Sequence, residues 1–300
     1  MQNTLIVITG PTGAGKTEIA INLALTFGTE IISSDSRQFY RQMRIGTAVP
    51  SNEQLEMVKH HFIGHLSVAD SYSSSQFEKD VLAILPGLFS SSGLAVMAGG
   101  SGLYINAVCR GIDYIPDVDE DIRKFYINKY EVEGIEGLRA ELSRVDHEHY
   151  RKVDLRNYKR ILRALEITAS TGRPYSSFLK KEYKKRDFKI ITIGLNRERE
   201  DLYERINSRV DLMVASGLEE EVRGLTRYRD LNALKTVGYR EFFDFLDGAV
   251  SRDRAIELIK RNSRHYARRQ ITWFNRTGGI KWFHPDDTKD IISYIRGNIS

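Results

Sequence analysis

Cysteine is almost missing from this 300-residue chain; Cys109 is the only one. A lone thiol excludes an intramolecular disulfide and any multi-cysteine zinc module, and it fits a reducing cytosol. Long apolar runs are missing too. No segment approaches the ~18 uninterrupted apolar residues that a membrane span needs. The opening MQNTLIVITG has no basic n-region, so it reads as a first strand and not as a signal peptide. There is no internal repeat and no low-complexity linker. What remains is 41% hydrophobic and 28% charged, enough for a substantial core in one or two domains.

Charge is distributed unevenly. Residues 1–150 hold 12 Lys+Arg against 19 Asp+Glu, a net −7, whereas residues 151–300 hold 33 against 21, a net +12. The asymmetry suggests one half doing chemistry and a basic half facing a polyanion, although a charged solvated surface would look the same.

The pattern of elements predicts an α/β fold. TLIVIT (4–9), IISS (31–34) and LAVMA (94–98) are short buried strands. Between them lie helices with an apolar stripe. The first is Ile19, Ala20, Leu23, Ala24 and Phe27, with Gly28 as C-cap; the second is Phe77, Val81, Ile84, Leu85 and Leu88, opened by a capping box from Ser75 to Glu78. Such alternation implies a parallel sheet covered on both faces. From about residue 114 helices dominate to 186, after which FKIITIGLN (188–196) restores a strand. The economical reading is a core of 1–113 and 187–300 interrupted by a helical insertion, 114–186. KWFH (281–284) reads as a last strand.

Directly behind the first strand comes GPTGAGKT: Gly10, Pro11, Thr12, Gly13, Ala14, Gly15, Lys16 and Thr17. This matches G-x-x-x-x-G-K-[ST] between a strand and a helix, where backbone N–H groups, a lysine and a Mg²⁺-ligating hydroxyl cradle phosphate. Nucleotide triphosphatases also carry a carboxylate at the end of another strand. LAVMA instead runs into Gly99-Gly100-Ser101-Gly102 with no Asp. The strand that ends in a carboxylate is the second, at Asp35, on the rim where open α/β sheets bind ligands. Spacing leaves three roles open for Asp35: indirect metal ligand, general base, or cap of the next turn.

GPTGAGKT, SSDSRQFYRQMRIGTAVPS, HHFIG, GGSGLYINAV, RALEITASTGRP, TVGYRE and RRQITWF occur in that order. Together they resemble the bacterial tRNA dimethylallyltransferases (isopentenyl-tRNA transferases) over nearly the whole chain. The stretch from Asp35 to Pro50 is far more specific than the phosphate loop. The resemblance implies a P-loop NTPase-like parallel sheet flanked by helices, with a helical insertion domain. It implies transfer of a dimethylallyl group from dimethylallyl diphosphate to the exocyclic N6 amine of the adenosine 3′ of the anticodon (position 37), in tRNAs reading codons that begin with U. Mg²⁺ assists and diphosphate leaves, so the missing strand-end Asp is no loss: no water need be activated toward a γ-phosphate. The family further implies a cytoplasmic monomer whose partners are dimethylallyl diphosphate and the anticodon stem-loop, with no membrane.

Carried over residue by residue, the resemblance makes Asp35 the general base for the attacking amine, assisted by Lys16, Thr17 (Mg²⁺) and Arg209. It assigns tRNA contacts to Asp35, Ser36, Arg37 and Gln38, to Ser101 (where the family has Thr), and to Arg123. It assigns them also to Lys159, Arg160, Ile161, Leu162 and Arg163, and to Lys235, Thr236, Val237, Gly238, Tyr239 and Arg240. Arg123 reads equally as a solvated helix residue. Arg205 lies one turn before Arg209 and four residues after Asp201, so an exposed ion pair is its plain alternative. Gly238 suggests a close backbone approach. Family members often have a Pro or Asp-Pro ahead of the R-x-x-R-A-L-E helix, where this chain has Asn157-Tyr158-Lys159-Arg160, which leaves the start of that helix open.

Lys260, Arg264 and Arg268 recur every four residues beside Arg261, His265 and Arg269, a stripe suited to phosphates. Tyr266 and Trp273 read as core residues or as base-stacking platforms. His60 and His61 lack further ligands at zinc spacing, which leaves packing or lining the prenyl route. KKEYKKR (180–186) reads as a solvated basic exit from the insertion. Two other activities would share the loop and Asp35. An adenylate isopentenyltransferase using AMP or ATP would not need the insertion or the basic half. A P-loop small-molecule kinase would need the missing carboxylate and a lid.

Overall fold

The computed structural model describes residues 2–180 and 183–299. Two compact units emerge: Met1–Arg110 with Lys185–Ser300, and Gly111–Lys184.

The larger unit is built on six parallel strands. In chain order they are β1 (Thr4–Thr9), β2 (Ile31–Ser33), β3 (His60–His61), β4 (Leu94–Ala98), β5 (Lys189–Leu195) and β6 (Ile280–Phe283), arranged β3-β2-β4-β1-β5-β6. Helices α1 (Lys16–Phe27), α2 (Asn52–Met57), α3 (Ser74–Ser92) and α4 (Gly102–Arg110) follow the first strands. The smaller unit holds α5 (Glu120–Val145), α6 (His147–Tyr150) and α7 (Tyr158–Thr171). After β5 come α8 (Arg199–Ala215), α9 (Leu218–Gly224), α10 (Tyr239–Leu246), α11 (Arg252–Asn275) and, beyond β6, α12 (Thr288–Asn298).

Strand periodicity decides which side chains go where. Ile6 and Ile8 of β1 pack with Ile19 and Leu23 of α1 and with Ile291 and Ile295 of α12. The alternate residues Leu5 and Val7 pack with Phe77, Val81 and Leu85 of α3 and with Ile105 and Val108 of α4. Both faces of β1 are therefore dry, and all its six residues are buried. Gly28 closes α1 in the left-handed conformation, its N–H donating to Ala24.

Several expectations need correction. α3 begins earlier than the Ser75–Glu78 box: Ser73 is the N-cap, accepting from Gln76 N–H. Glu78 does not serve the cap; it is buried and ion-paired with Arg186 at 2.8 Å. Arg186 also donates to the carbonyls of Val108 and Ala107. It is a buried fastener of the core and not part of a solvated exit, and no helix continues past the short 3₁₀ turn at Tyr175–Phe178 among the described residues before β5. Lys181 and Glu182 of KKEYKKR lie outside the described residues. His60 and His61 form the edge strand β3, with His61 Nε2 2.5 Å from Glu30.

In the helical unit, Tyr126, Leu138 and Leu142 of α5 pack on Ile161, Leu162 and Leu165 of α7. Asp119 caps α5 and Asn157 caps α7, accepting from Arg160 N–H, so the helix starts where Asn and not Pro precedes it. Among the described residues no helix is long and apolar enough to cross a membrane.

Candidate active site

The carboxyl ends of β1, β2 and β4 place three loops side by side, as the strand order β2-β4-β1 requires. From β1 comes GPTGAGKT. Gly15, at φ 93°, hands the chain to α1, whose first N–H groups have no intrahelical acceptor. Lys16 curls back so that Nζ donates to the Pro11 carbonyl at 2.7 Å. Burial pushes its ammonium down to about 8; the Asp35 carboxylate works against that shift and the Arg209 guanidinium adds to it.

Asp35 follows β2. Its Oδ1 accepts the Arg37 N–H at 3.0 Å, so the turn-capping role is real. Yet the same carboxylate borders two cavities. One, of about 620 Å³, is walled by Thr12, Gly13, Gly15, Lys16, Thr17 and the segment Thr47–Pro50. The other, of about 390 Å³, is walled by Ser36, Arg37, Lys235, Thr236, Val237, Gly238 and Arg240. Thr12, Thr47, Asp35, Arg209 and Tyr266 belong to both. An anion seated on the loop and a group entering from the second cavity would meet at Asp35.

Arg209 of α8 stands between them, with Nη1 donating to Thr12 Oγ1 at 3.2 Å and Nη2 reaching the Ala48 carbonyl at 3.5 Å. Burial lowers the pKa of its guanidinium while Asp35 opposes the shift. Arg205 does not pair with Asp201, which is taken by Arg197 at 3.1 Å. It donates to the Gly13 carbonyl and lines the phosphate-loop cavity.

Two residues that sequence reasoning missed hold this arrangement. Gln270, 6% exposed, accepts the Thr12 N–H at 2.8 Å through Oε1 and donates to the Gly100 carbonyl at 2.9 Å through Nε2. A side chain at Gly100 would put Cβ 2.2 Å from that Nε2. Glu221 of α9 accepts the N–H groups of Arg44, Ile45 and Gly46 at 2.8, 2.8 and 3.0 Å, and the Tyr239 hydroxyl at 2.7 Å. It thereby fixes the segment that delivers Thr47 and Ala48 to the cavity. Only a polar residue inside an otherwise basic helix, or a tyrosine beside a glycine, would have signalled either.

This architecture has counterparts among known proteins. A family model described as IPP transferase matches residues 38–277. The chain belongs to the IPP transferase family. A protein of Bacteroides fragilis named tRNA dimethylallyltransferase 1 is 50% identical over 296 residues, covering 99% of this chain and 98% of its own. The full-length tRNA isopentenylpyrophosphate transferase of Bacillus halodurans, a crystal structure, superposes with a TM-score of 0.71 at 36% identity, covering 99% of this chain and 96% of that one. A eukaryotic dimethylallyltransferase acting on tRNA superposes with a TM-score of 0.76 at 25% identity, over 94% of this chain and 74% of that one. The sheet with its flanking helices is thus the P-loop NTPase-like fold of this family.

The remaining candidates from the sequence fall into three places. Arg37, Lys235 and Arg240 flank the second cavity; Arg37 Nη1 donates to the Asn232 carbonyl at 3.0 Å. Ser101 Oγ accepts the Ser36 N–H at 3.0 Å and bonds the Ser36 hydroxyl, joining the β4 loop to the Asp35 turn. Gln38 clamps the carbonyls of Thr47 and Ala48, its polar end spent on the fold. Gly238 is needed for its φ of 96° and not for proximity, since a Cβ there would sit at ordinary distance from Leu218. Tyr239 is fully buried and faces Glu221, not solvent. In the helical unit Lys159 and Arg160 are exposed, whereas Ile161 and Leu162 are core side chains and cannot offer direct contacts. Arg123 and Arg163 both lean on the buried Glu166, at 3.4 and 3.5 Å. Neither His60 nor His61 borders the two cavities.

Proposed function

We propose that this protein is a tRNA dimethylallyltransferase that prenylates the N6 amine of the adenosine at position 37, in tRNAs reading codons that begin with U. The observation that carries the reading is the position of Asp35 on the wall shared by the phosphate-loop cavity and the basic second cavity. Dimethylallyl diphosphate occupies the first and the target nucleotide enters from the second.

The chemistry divides among the chain's own groups. The C1–O bond of the allylic diphosphate breaks, and its electron pair leaves with the diphosphate. Loop N–H groups, Lys16 and Arg209 stabilise that departing charge without reorganising. A C1–N6 bond forms as the amine gives its proton to the Asp35 carboxylate. An aromatic amine is a weak nucleophile, and a positioned base contributes about 10²–10⁴-fold. Extruding the nucleotide from its stack costs a few kcal/mol, which contacts from Ser36, Arg37, Ser101, Lys235 and Arg240 offset. The exposed cations Lys159 and Arg160 of the helical unit, with Arg123 and the half-buried Arg163 that flank Glu166, add further contacts to the anticodon stem-loop.

Mg²⁺ suits the donors. Among the described residues no group of three or more His, Cys, Asp or Glu could hold a metal ion. The oxygens of Thr17 and Asp35 in one cavity match an ion that takes few protein ligands and draws the rest from phosphate and water. Bound there, Mg²⁺ would neutralise charge on the leaving diphosphate. An RNA substrate and a single cysteine agree with a cytoplasmic location.

The test is nucleoside mass analysis of unmodified tRNA after incubation with the protein, Mg²⁺ and dimethylallyl diphosphate. N6-isopentenyladenosine is the expected product. Prenylation of AMP with tRNA left unchanged would instead make it an adenylate isopentenyltransferase, and a labelled γ-phosphate on an acceptor would make it a kinase.

A further inference from the structure

The second cavity at Asp35 has two walls that are far apart in the chain. One is Gly46 and Thr47, in the segment between β2 and α2; the other runs from Lys235 to Gly238, in the turn that opens α10. Both are irregular backbone, so the sheet does not set their separation. Glu221 of α9 does. Its Oε2 accepts the N–H groups of Arg44 and Ile45, each at 2.8 Å, and its Oε1 accepts the Gly46 N–H at 3.0 Å and the Tyr239 hydroxyl at 2.7 Å. Three consecutive N–H groups aimed at one point form an anion-binding concavity, and here the chain fills it from inside. One carboxylate therefore grips the first wall by its backbone and the second through Tyr239, the residue next to Gly238.

The walls also touch. A Cβ on Gly46 would lie 2.6 Å from the Tyr239 ring, which is fully buried and has nowhere to retreat. Burial first, and then the Glu221 carboxylate, push the pKa of the Tyr239 hydroxyl above the ordinary tyrosine range, so it remains a donor. The buried Glu241 accepts the Gly238 N–H at 2.8 Å, which makes the turn rigid with respect to α10. Neither Glu221 nor Tyr239 lines either cavity at Asp35. Whatever they do for the reaction they do from behind, through the backbone they hold.

We propose that Glu221 is a positioning residue for the acceptor: by joining the two walls at a fixed separation, it holds the second cavity at the width that admits the target nucleotide. The inference rests on the proposed function for the identity of that acceptor, but it makes its own demand. A carboxylate, and not merely a side chain of that size, must stand at position 221. A glutamine has the same shape but only one acceptor oxygen. Whichever way its amide turns, the NH₂ group faces either the N–H groups of Arg44 and Ile45 or those of Gly46 and the Tyr239 hydroxyl, and a backbone N–H cannot reverse.

The experiment is steady-state kinetics of the wild type, Glu221→Gln and Tyr239→Phe, with tRNA and dimethylallyl diphosphate each varied, alongside denaturant titration. Tyr239→Phe frees only the second wall. Its KM for tRNA should rise about three- to tenfold, the worth of one hydrogen bond, with KM for dimethylallyl diphosphate within about twofold of wild type. Glu221→Gln loosens both walls and should raise KM for tRNA by about tenfold or more, with a smaller rise for dimethylallyl diphosphate through Thr47, which both cavities share. In both variants kcat at saturating substrates should stay within about threefold, because Asp35 and the phosphate loop are intact. Should Glu221→Gln fail to fold, the split in Tyr239→Phe carries the test. Lower denaturation midpoints with unchanged Michaelis constants, or an equal rise of both constants in Tyr239→Phe, overturn the proposal. If the wild type uses an acceptor other than tRNA, the same split read with that acceptor upholds the positioning role while the tRNA reading falls. Normal tRNA prenylation by the wild type with no split in either variant has the opposite meaning.

Discussion

Gln270 and Thr12 lie 258 positions apart, and the side chain of one accepts the backbone N–H of the other at 2.8 Å. The same glutamine donates to Gly100, so it ties the phosphate loop after β1 to the loop after β4. Because α11 also carries Tyr266, which borders both cavities at Asp35, one helix is tied directly to the loop and to the wall opposite it. Gln270→Leu would leave the buried Gly100 carbonyl without this partner, at about 1–3 kcal/mol, and the half-buried Thr12 N–H with only water to replace it. The expected result is a lower melting temperature and a KM for dimethylallyl diphosphate raised about tenfold, with tRNA affinity retained. An unchanged KM in a folded variant would reduce Gln270 to a packing residue.

Asp35 both caps its own turn and faces the two cavities, and substitution separates these roles. Asparagine keeps an oxygen for the Arg37 N–H but cannot take a proton at neutral pH. Asp35→Asn should fold as wild type, bind tRNA and diphosphate within a few-fold, and lose about 10²–10⁴ in kcat. If Asp35→Asn turns over normally while Asp35→Ala unfolds, the residue is a cap alone.

How far the sequence foretold this site depends on whether the signal was local. The phosphate loop, the buried strands and Asp35 at the end of β2 were legible because strand period, glycine spacing and loop chemistry are properties of neighbouring residues. So was the C-cap at Gly28. Gln270 and Glu221 were not, since each works on a backbone more than 160 positions away and nothing in its own neighbourhood announces that. The start of α3 was misread by two residues: Ser75 to Glu78 has the capping-box pattern in sequence, yet Ser73 is the cap and Glu78 is spent on Arg186. Basic residues misled in the same way: Arg186, Lys260 and Arg205 looked alike in sequence, yet one is buried with Glu78, one is paired with Asp211, and one reaches the Gly13 carbonyl.

Glu221 concentrates four hydrogen bonds on one carboxylate, three of them from consecutive backbone N–H groups at Arg44, Ile45 and Gly46. Gly46 leaves no room beside Tyr239, since a Cβ there would sit 2.6 Å from the ring. Glu221→Ala strands those donors and should cost about 3–5 kcal/mol, given about 1.5–3 kcal/mol for each bond to a charged group and partial rescue by water. Tyr239→Phe, losing one bond, should cost about 1–2 kcal/mol. Denaturant titration of both variants measures the difference. Equal midpoints would mean the segment Arg44–Gly46 is held by something else.

Lys16 gives the site a pH signature whose sign follows from its environment. Its ordinary pKa is 10.5, and burial lowers it in the folded chain to about 8, against the pull of Asp35 and with help from Arg209. Between those two values the unfolded chain holds the extra proton, so this residue makes stability rise with pH from about 8 toward 10.5. Diphosphate acts in the opposite direction, because a bound anion stabilises the ammonium and raises its pKa again. Affinity for diphosphate should therefore fall as pH climbs through 8, and binding at that pH should draw a proton from solution. Calorimetric titration at pH 8 in two buffers of different ionisation enthalpy reads that proton directly. Lys16→Met should abolish the part of the uptake that belongs to the lysine and weaken binding by at least tenfold, while leaving the remainder due to diphosphate itself. If the wild type and Lys16→Met take up the same fraction of a proton, the lysine is already charged in the empty cradle.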